Sequence, residues 1–300
     1  MSRESLPHAK QFRGPKIPGQ QAPGPIDMWR LVAGSAVAEV APSRGGIVTR
    51  FAVGDDEVLY LDPLTLADRT QKVRGGVPVL FPIAGRLSGD RYQTGGRSYP
   101  MRQHGLARQA PWNVINVKMS QLTMEFRSDP ATRASFPFEF SYRLIVDVGR
   151  AGFRSLVIES EIENLGKEPM PLHTGLHPYF LVPERDKAGV SVEVAASSAY
   201  DNVRGESTEW TGAADFTATE LDLHLHGSSS GTATLNVPGK NPRVLTWNDM
   251  YTSTVMWTVS LKDFVCVEPW SGPGDALNTG EGLLSVEPGE IRRGEFVITV

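Results

Sequence analysis

The feature that most constrains this chain is a repeated alternation of apolar and polar residues in short runs. In the segment FSYRLIVDV at 140–148, Phe140, Tyr142, Leu144, Val146 and Val148 fall on one side, while a serine, an arginine and an aspartate fall on the other. Successive side chains point to opposite faces of a strand, so this pattern is typical of a strand with one buried face. The segment predicts a β-strand packed on a core.

Similar runs recur along the chain, with Gly, Pro, Asn and Asp between them. They are SAVAEVA, GIVTRFAV, EVLYL, LTMEFRS, LVIESEI, VSVEVA, TATELDLHL, GTATLNV, STVMWTV, FVCVE and EFVITV. A helical period is weak everywhere except in DPLTLADRTQK at 62–72. Many short strands with turn-rich connections predict an all-β fold, either an antiparallel sandwich or a barrel.

The domain organisation follows from where prolines and linkers fall. Residues 1–26 carry five prolines among polar residues, which predicts an N-terminal arm that lies on the domain or forms a disordered tail. Residues 27–300 contain neither an internal repeat nor a linker-like segment, so we expect one large β domain. A chain of 300 residues that is 40% hydrophobic can bury a core of that size.

Charge and cysteine content exclude several classes of partner. A net charge of -4 gives no electrostatic reason to expect nucleic acid or an anionic membrane. The single cysteine, Cys266, rules out an internal disulfide and suits a reducing compartment. Apolar runs such as VPVLFPIAG at 77–85 are far shorter than the roughly 20 residues of a membrane helix. We therefore expect a cytoplasmic monomer or weak dimer that binds a small molecule.

Two histidines lie four residues apart in PLHTGLHPYFLVP at 171–183. A zinc-binding His-x-x-x-His pair needs a helix to bring both rings to one face. Gly175 and Pro178 interrupt any such helix, and no carboxylate lies between His173 and His177. The residues alone leave two alternatives, a pair of buried structural imidazoles or part of an acid/base site.

A second segment, at 73–112, has paired glycines and four prolines, which predict a long irregular loop system. It contains four candidate binding residues, Arg74, Arg86, His104 and Arg108. Arginine suits hydroxyl-rich or phosphorylated ligands because its donors form a rigid planar fork. The arginines at 91, 97 and 102 are interpreted as surface residues that solvate the loop.

A third segment, DFVCVEPWSGPGDALN at 263–278, places Phe264, Cys266 and Glu268 on one strand face. A carboxylate among apolar neighbours has a raised pKa and becomes a useful base near neutral pH. Pro269 is expected to end the ladder. Trp270 is a candidate to stack on a sugar.

Asp222, His224 and His226 alternate with leucines in ELDLHLHG at 220–227 and share a strand face, an arrangement that can chelate a metal. A solvated polar face is the more ordinary explanation for such alternation. We therefore predict no metal at this position.

The segments GGVPVLFPIAGRL, QHGLAR followed by PW, GLHPYF and CVEPW occur in the order seen in aldose 1-epimerases. From about residue 30 to the C-terminus the chain resembles the branch that contains glucose-6-phosphate 1-epimerases and LacX-like proteins. The resemblance implies a large antiparallel β-sandwich of the galactose mutarotase-like (supersandwich) type, with a sugar or sugar phosphate held in an open cleft. It implies epimerisation at the anomeric carbon without a cofactor or a metal.

The same resemblance implies roles for individual residues. His177 would be the general acid and Glu268 the general base, acting from opposite sides of the sugar ring, while His173 would be structural. His104 would bind and polarise the sugar. Arg74 and Arg108 match arginines that bind phosphate in phosphate-specific members.

A family aspartate that binds sugar hydroxyls corresponds to Asp222, with Asp201 as the alternative. A different functional class also fits the sequence, namely a non-catalytic carbohydrate-binding or sugar-sensing sandwich that uses the same cleft. The presence of both an acid and a base favours the enzyme.

Overall fold

The computed structural model describes residues 5–14, 26–227 and 231–300, which are mostly β-strands joined by turns. The strands are β1 (Ser5–Arg13), β2 (Asp27–Gly34), β3 (Ala36–Ala41), β4 (Ile47–Val53), β5 (Asp56–Glu57), β6 (Val79–Leu80), β7 (Arg91–Thr94), β8 (Arg97–Pro100), β9 (Asn113–Lys118), β10 (Gln121–Arg127), β11 (Phe140–Val148), β12 (Ser155–Asn164), β13 (Met170–Leu172), β14 (Gly175–Leu176), β15 (Tyr179–Leu181), β16 (Ser191–Val194), β17 (Ser198–Asp201), β18 (Glu206–Glu209), β19 (Glu220–His226), β20 (Thr232–Asn236), β21 (Arg243–Trp247), β22 (Ser253–Val259), β23 (Phe264–Trp270), β24 (Leu284–Val286) and β25 (Ile291–Thr299). The helices are α1 (Pro63–Ala67), α2 (Pro130–Arg133) and α3 (Ala276–Thr279), and 3-10 turns lie at Pro42–Arg44, Ser88–Asp90, Ala107–Gln109 and Glu184–Gly189.

The described strands assemble into three large antiparallel sheets. The first is five-stranded, in the order β1-β2-β3-β4-β5. The second is eight-stranded, in the order β16-β20-β21-β25-β12-β11-β10-β9. The third, also eight-stranded, runs β18-β17-β19-β22-β23-β14-β6, with β15 paired to β23 as well. β13 with β24 and β7 with β8 form two-stranded ribbons. These pairings confirm the predicted all-β, antiparallel architecture.

Alternation along the strands places the core and the cleft on opposite faces of the third sheet. On β19, Leu221, Leu223 and Leu225 join the main apolar core, to which β11 also contributes its alternating apolar face. The intervening residues Asp222 and His224 point to the other face. Burial of the leucines therefore fixes the register that exposes a polar face to a ligand.

Most of the predicted strand runs are strands, with EVLYL at 57–61 as an exception. Its leucines at 59 and 61 form isolated bridges to Phe180 and Gly75 rather than a ladder. The predicted helical segment at 62–72 is helical only over α1, where Asp62 caps the backbone N–H groups of Leu64 and Thr65.

The segment at 73–112 is less irregular than predicted, because it contains the β7–β8 hairpin and the short strand β6. Gly95 and Gly96, at φ values of 55° and 72°, form the two-residue turn of the hairpin. Such a turn requires positive φ at both positions, which glycine adopts without steric cost. Gly95 and Gly96, which we interpreted as part of an irregular loop, are instead the turn of a β-hairpin.

Part of the predicted N-terminal arm is a strand. β1 pairs along β2 at the edge of the first sheet, with Phe12 opposite Met28. Residues 1–4 and 15–25 of the arm lie outside the described residues. Among the residues that the structure does describe, none of the helices is both long and apolar enough to cross a membrane.

Candidate active site

A cleft of about 790 Å³ lies on the polar face of the third sheet. Strands β19, β22 and β23 form its floor, and the irregular segment at 73–112 contributes to its walls. The eight residues predicted from the sequence all line it, namely His177, Glu268, His104, Arg74, Arg108, Asp222, Arg86 and Trp270. Residues far apart in sequence are thus brought to one place.

His177 and Glu268 are cross-strand neighbours. Gly175 pairs with Trp270 and Tyr179 pairs with Cys266, so His177, midway between the two bridges, falls opposite Glu268 in the same antiparallel register. Nδ1 of His177 lies 3.2 Å from Oε1 of Glu268. The atoms are badly aligned for a hydrogen bond, so this Nδ1 has no hydrogen-bond partner among the described residues.

Burial controls the charge of this pair, since His177 is 5% and Glu268 1% exposed. Removal from water raises the pKa of the Glu268 carboxyl well above its ordinary value, although the Trp270 indole N–H opposes this. Burial, together with the positive charge of Arg108, lowers the pKa of His177 well below its ordinary value. The two groups therefore favour a state in which they hold one proton between them near neutral pH.

The position of the pair corrects one expectation. The resemblance led us to expect an acid and a base on opposite sides of a sugar ring. The two side chains instead lie next to each other on the cleft floor, with Nδ1 and Oε1 3.2 Å apart.

His104 is held by the backbone of the wall. It adopts a φ of 70°, in the left-handed region, and Gly105 follows at 68°, where a Cβ would collide with the Phe81 carbonyl. Nδ1 of His104 bonds to the Ala84 carbonyl oxygen, which can only accept, so Nδ1 carries the proton. Burial and nearby Arg108 lower the pKa of His104 to about 3. A neutral ring leaves Nε2 as a hydrogen-bond acceptor.

His173 has both ring nitrogens engaged by backbone groups. Nε2 donates to the Gly272 carbonyl at 2.8 Å, and Nδ1 accepts from the Ala84 N–H at 3.4 Å. The side chain is 1% exposed, and burial lowers its pKa to about 4. His173 therefore ties three segments together as a neutral imidazole.

Three cations, Lys72, Arg74 and Arg108, lie together in the cleft wall. Lys72 is exposed but partly shielded from water by the cleft wall; this shielding lowers its pKa, and the positive charges of Arg108 and Arg102 lower it further. Arg108 is 8% exposed and donates to the Val73 carbonyl at 3.1 Å. None of the three forms an ion pair with a carboxylate within the described part of the chain. This part of the wall therefore carries uncompensated positive charge suited to an anion.

Arg86, by contrast, is an exposed residue of the cleft rim. Its Nε donates to Asp90 at 3.3 Å, four residues along the chain, and its side chain is 70% exposed. Its charge is thus partly compensated.

Asp222 and His224 form a second polar pair in the cleft. Oδ1 of Asp222 lies 3.1 Å from Nε2 of His224, and Oδ2 accepts from the Asn202 amide at 2.7 Å. Burial alone would raise the pKa of Asp222, but these bonds outweigh it and the pKa is lowered. This strand face, which the alternation with leucines had suggested to be an ordinary solvated face, is part of the cleft floor.

Asp201, the alternative to Asp222, does not line the cleft. Its side chain accepts the backbone N–H groups of Val203 and Arg204 and closes the turn after β17. Geometry therefore favours Asp222 as the ligand-facing aspartate.

Strand β23 continues through Pro269, contrary to prediction. Pro269 lies opposite Thr254, and the ladder reaches Trp270. One proline removes only one potential donor, so the flanking pairs persist. Trp270 is 4% exposed and donates from Nε1 to Oε2 of Glu268 at 3.0 Å. Trp270 thus orients the carboxylate.

Several cleft residues were not predicted. Trp257 is half-buried, meets the His177 ring edge to face at 5.7 Å, and faces the cleft. Tyr179 stacks on the His177 ring at 4.6 Å. Lys72 precedes Arg74 by two residues. Of these three residues, only Trp257 could have been predicted from the sequence, because alternation in STVMWTV places it on the same face as Val255.

Comparison with solved structures identifies the class of fold. The structure is similar to that of the Slr1438 protein from Synechocystis sp. PCC 6803, with 33% identity and a TM-score of 0.85 over 99% of this chain and 96% of that chain. It is also similar to a galactose mutarotase-like protein from Clostridium acetobutylicum, with 19% identity and a TM-score of 0.78 over 98% of each chain. The fold is therefore galactose mutarotase-like.

Sequence comparison then gives the family. A profile described as aldose 1-epimerase matches residues 27–299. A LacX protein of Lactococcus lactis subsp. lactis is 26% identical over 239 residues, covering 70% of this chain and 78% of that protein. A protein of Cenchrus ciliaris named "Putative glucose-6-phosphate 1-epimerase" is 24% identical over 282 residues, covering 85% and 79%. The chain belongs to the aldose 1-epimerase family.

Proposed function

We propose that this protein interconverts the α and β anomers of a hexose 6-phosphate by acid/base opening and closing of the ring. The observation that carries the proposal is the contact between His177 and Glu268 on the floor of an open cleft, 3.2 Å apart. Family membership supports epimerase chemistry in general, and the cationic wall supports a phosphorylated substrate.

The adjacent placement of the pair suits the chemistry of an anomeric centre. The anomeric hydroxyl oxygen and the ring oxygen are both bonded to C1, so an acid and a base that act on them must lie side by side. Glu268 takes the proton of the anomeric hydroxyl, while His177 gives a proton to the ring oxygen. The C1–O bond of the ring breaks and an aldehyde forms.

Proton balance is maintained through the cycle. The resting pair holds its one proton on Glu268, because burial raises the pKa of Glu268 and lowers that of His177. The reactive form is the tautomer in which that proton has moved to His177, an imidazolium beside the carboxylate of Glu268. Ring opening moves a proton onto Glu268 and removes one from His177. After rotation about C1–C2, closure on the other carbonyl face reverses both transfers and regenerates the pair. Positioned proton transfer contributes on the order of 10²- to 10⁴-fold.

The surrounding residues would orient the sugar. His104 offers a neutral Nε2 that accepts a hydroxyl proton, and Asp222, fixed by Asn202 and His224, offers a carboxylate to another hydroxyl. Half-buried Trp257 offers an aromatic surface beside His177 for the sugar ring.

Phosphate recognition would fall to Lys72, Arg74 and Arg108. Hydrogen bonds to a charged group contribute about 1.5 to 3 kcal/mol each, so two such contacts would favour a 6-phosphate over a free hexose by two or more orders of magnitude. The three side chains lack carboxylate partners in the described residues, so a phosphate dianion would not have to displace one.

Polarimetry separates this proposal from a sugar-binding module without activity. Fresh α-D-glucose or α-D-galactose in the presence of the protein should reach its equilibrium rotation faster than in buffer, and sugar phosphate should do so at lower protein concentration. Sugar binding by calorimetry without any acceleration, for free or phosphorylated hexoses, would identify a sensor or binding protein instead.

A further inference from the structure

Three different side chains that can bind a metal meet at the cleft floor. One donor atom from each of His177, Cys266 and Glu268 lies within 4.8 Å of the other two. We propose that this cluster binds Zn²⁺ and other thiolate-seeking divalent ions, and that a bound ion switches the protein off. The inhibitory part rests on the proposed function of His177 and Glu268, whereas the binding part does not.

The strand register creates the cluster. Cys266 and Glu268 are two residues apart on β23 and so point to the same face, and His177 lies opposite Glu268. Tetrahedral Zn²⁺ bonds at about 2.0–2.3 Å place neighbouring donor atoms roughly 3.3 to 3.7 Å apart. The Nδ1 to Oε1 distance of 3.2 Å is close to that spacing, and the Cys266 sulfur lies within 4.8 Å of a donor atom of each partner.

Two of the donor atoms are prepared for a ligand. Nδ1 of His177 is buried without a hydrogen-bond partner in the described residues. Oε2 of Glu268 is occupied by the Trp270 indole N–H at 3.0 Å, which leaves Oε1 directed at His177. A hydrogen bond on the second carboxylate oxygen is the kind of outer contact that fixes metal-ligating carboxylates.

The charge of a divalent ion must be balanced by the cluster itself, because Arg108 and Arg74 place positive potential at His177. Burial raises the pKa of both the Cys266 thiol and the Glu268 carboxyl, because an isolated anion is costly there. One thiolate and one carboxylate together neutralise a 2+ ion, so the ion removes that cost.

The cleft completes the site. His177 and Glu268 line the cleft, so a fourth ligand can reach the ion from that side. Mg²⁺ and Ca²⁺ prefer sets of oxygen donors and should bind poorly to one sulfur, one nitrogen and one oxygen. An ion bound here occupies the atoms that would move protons, so turnover should stop.

Titration with Cd²⁺ tests the binding without reference to activity. A Cd²⁺–thiolate bond gives an ultraviolet charge-transfer band, and Cys266 is the only cysteine in the sequence. We expect one equivalent of Cd²⁺ to give the band at neutral pH, and the band to be lost in Cys266→Ala and Cys266→Ser. No band in the wild type, or a band that persists without the cysteine, would overturn the proposal.

Zn²⁺ inhibition tests the consequence. Cys266→Ser should keep the basal rate of anomer exchange but need at least about tenfold more Zn²⁺ for half-inhibition, and Mg²⁺ should not inhibit either protein. Equal inhibition of both proteins would refute the switch. Should neither cysteine variant fold, as judged by thermal melting, the stoichiometry of the wild-type Cd²⁺ band decides. If no catalytic activity is found at all, the band still reports on the metal site alone.

Discussion

His177 lies directly across the strand ladder from Glu268, with Nδ1 and Oε1 3.2 Å apart. The position follows from the bridges on either side, Gly175 to Trp270 and Tyr179 to Cys266. A cross-strand pair keeps its spacing because both backbones are held by the sheet. Glu268 on β23 and His177 between β14 and β15 can therefore stay aligned with each other.

The roles of the two histidines should separate in a matched pair of variants. His177→Asn should lower kcat by at least about 10²-fold with little change in melting temperature, because the ring is needed for proton transfer. His173→Asn should lower the melting temperature and leave most of kcat, because His173 bonds only to backbone groups. Polarimetry and thermal melting measure the two effects, and a large loss of kcat alone in His173→Asn would mean that the roles are reversed.

The free energy of unfolding should decrease in acid, and protonation of His173 should account for part of that decrease. Its pKa is about 4 in the folded protein against an ordinary 6.5, so the unfolded chain binds the proton more readily. The stabilisation is fully present above pH 6.5 and is lost as pH falls from 6.5 towards 4. Thermal melts across this range should show a shallower pH dependence in His173→Asn than in the wild type. Parallel curves would show that His173 does not titrate in this way.

The cationic wall should set the preference for phosphorylated substrates. Lys72→Ala combined with Arg74→Ala should lower kcat/KM for hexose 6-phosphates by about 10²-fold or more and spare turnover of free hexoses. Both side chains are exposed, so folding should survive. Arg108→Ala should act in the same direction, but it also removes a buried bond to Val73 and should destabilise the fold.

Arg97→Ala is the control for this series. Arg97 is exposed in the β7–β8 hairpin and does not line the cleft, so its loss removes a positive charge without touching the wall. It should leave both activities unchanged. If Arg97→Ala lowers kcat/KM for hexose 6-phosphates as much as the Lys72→Ala, Arg74→Ala double variant does, the wall does not bind phosphate. The same conclusion follows if the wild type has equal kcat/KM for glucose and glucose 6-phosphate, and the substrate is then a free hexose.

Chelation should not reduce activity. The proposed chemistry uses protein side chains alone, and the proposed metal site is inhibitory. Exhaustive dialysis against a chelator should therefore leave the rate constant unchanged or raise it. Elemental analysis alongside the assay should find no metal whose loss tracks activity. A loss restored by one divalent ion would contradict this account and direct attention to Asp222, His224 and His226.

The alternation of apolar and polar residues was the main feature from which the strands could be predicted. Runs such as FSYRLIVDV depend on burial of one face, which the order of apolar residues records directly. EVLYL has the pattern of a strand, but beyond Glu57 it forms only isolated bridges, because the partners of its leucines, Phe180 and Gly75, are positioned by other chain segments. Pairing of β1 with β2 is another long-range contact that local composition could not reveal.

Candidate site residues could be predicted because their motifs are local, whereas their arrangement could not. Nothing local shows that His177 faces Glu268, since this depends on where β14 and β15 dock on β23. The buried state of Arg108 and the bond from Trp270 to Glu268 also arise only in the folded chain. Lys72 lacked any motif and became a candidate only through its position in the cleft.

Exchange between the two anomeric proton signals of glucose 6-phosphate, measured by NMR at equilibrium, tests the central claim most directly, since it needs no pure anomer. We predict that the wild type accelerates this exchange well beyond the buffer rate, with kcat/KM at least about 10²-fold above that for glucose. We also predict that Glu268→Gln, which keeps an oxygen available to Trp270, loses at least about 10²-fold in rate while melting like the wild type. Exchange at the buffer rate in the wild type, or near-normal exchange in a folded Glu268→Gln, would contradict the account.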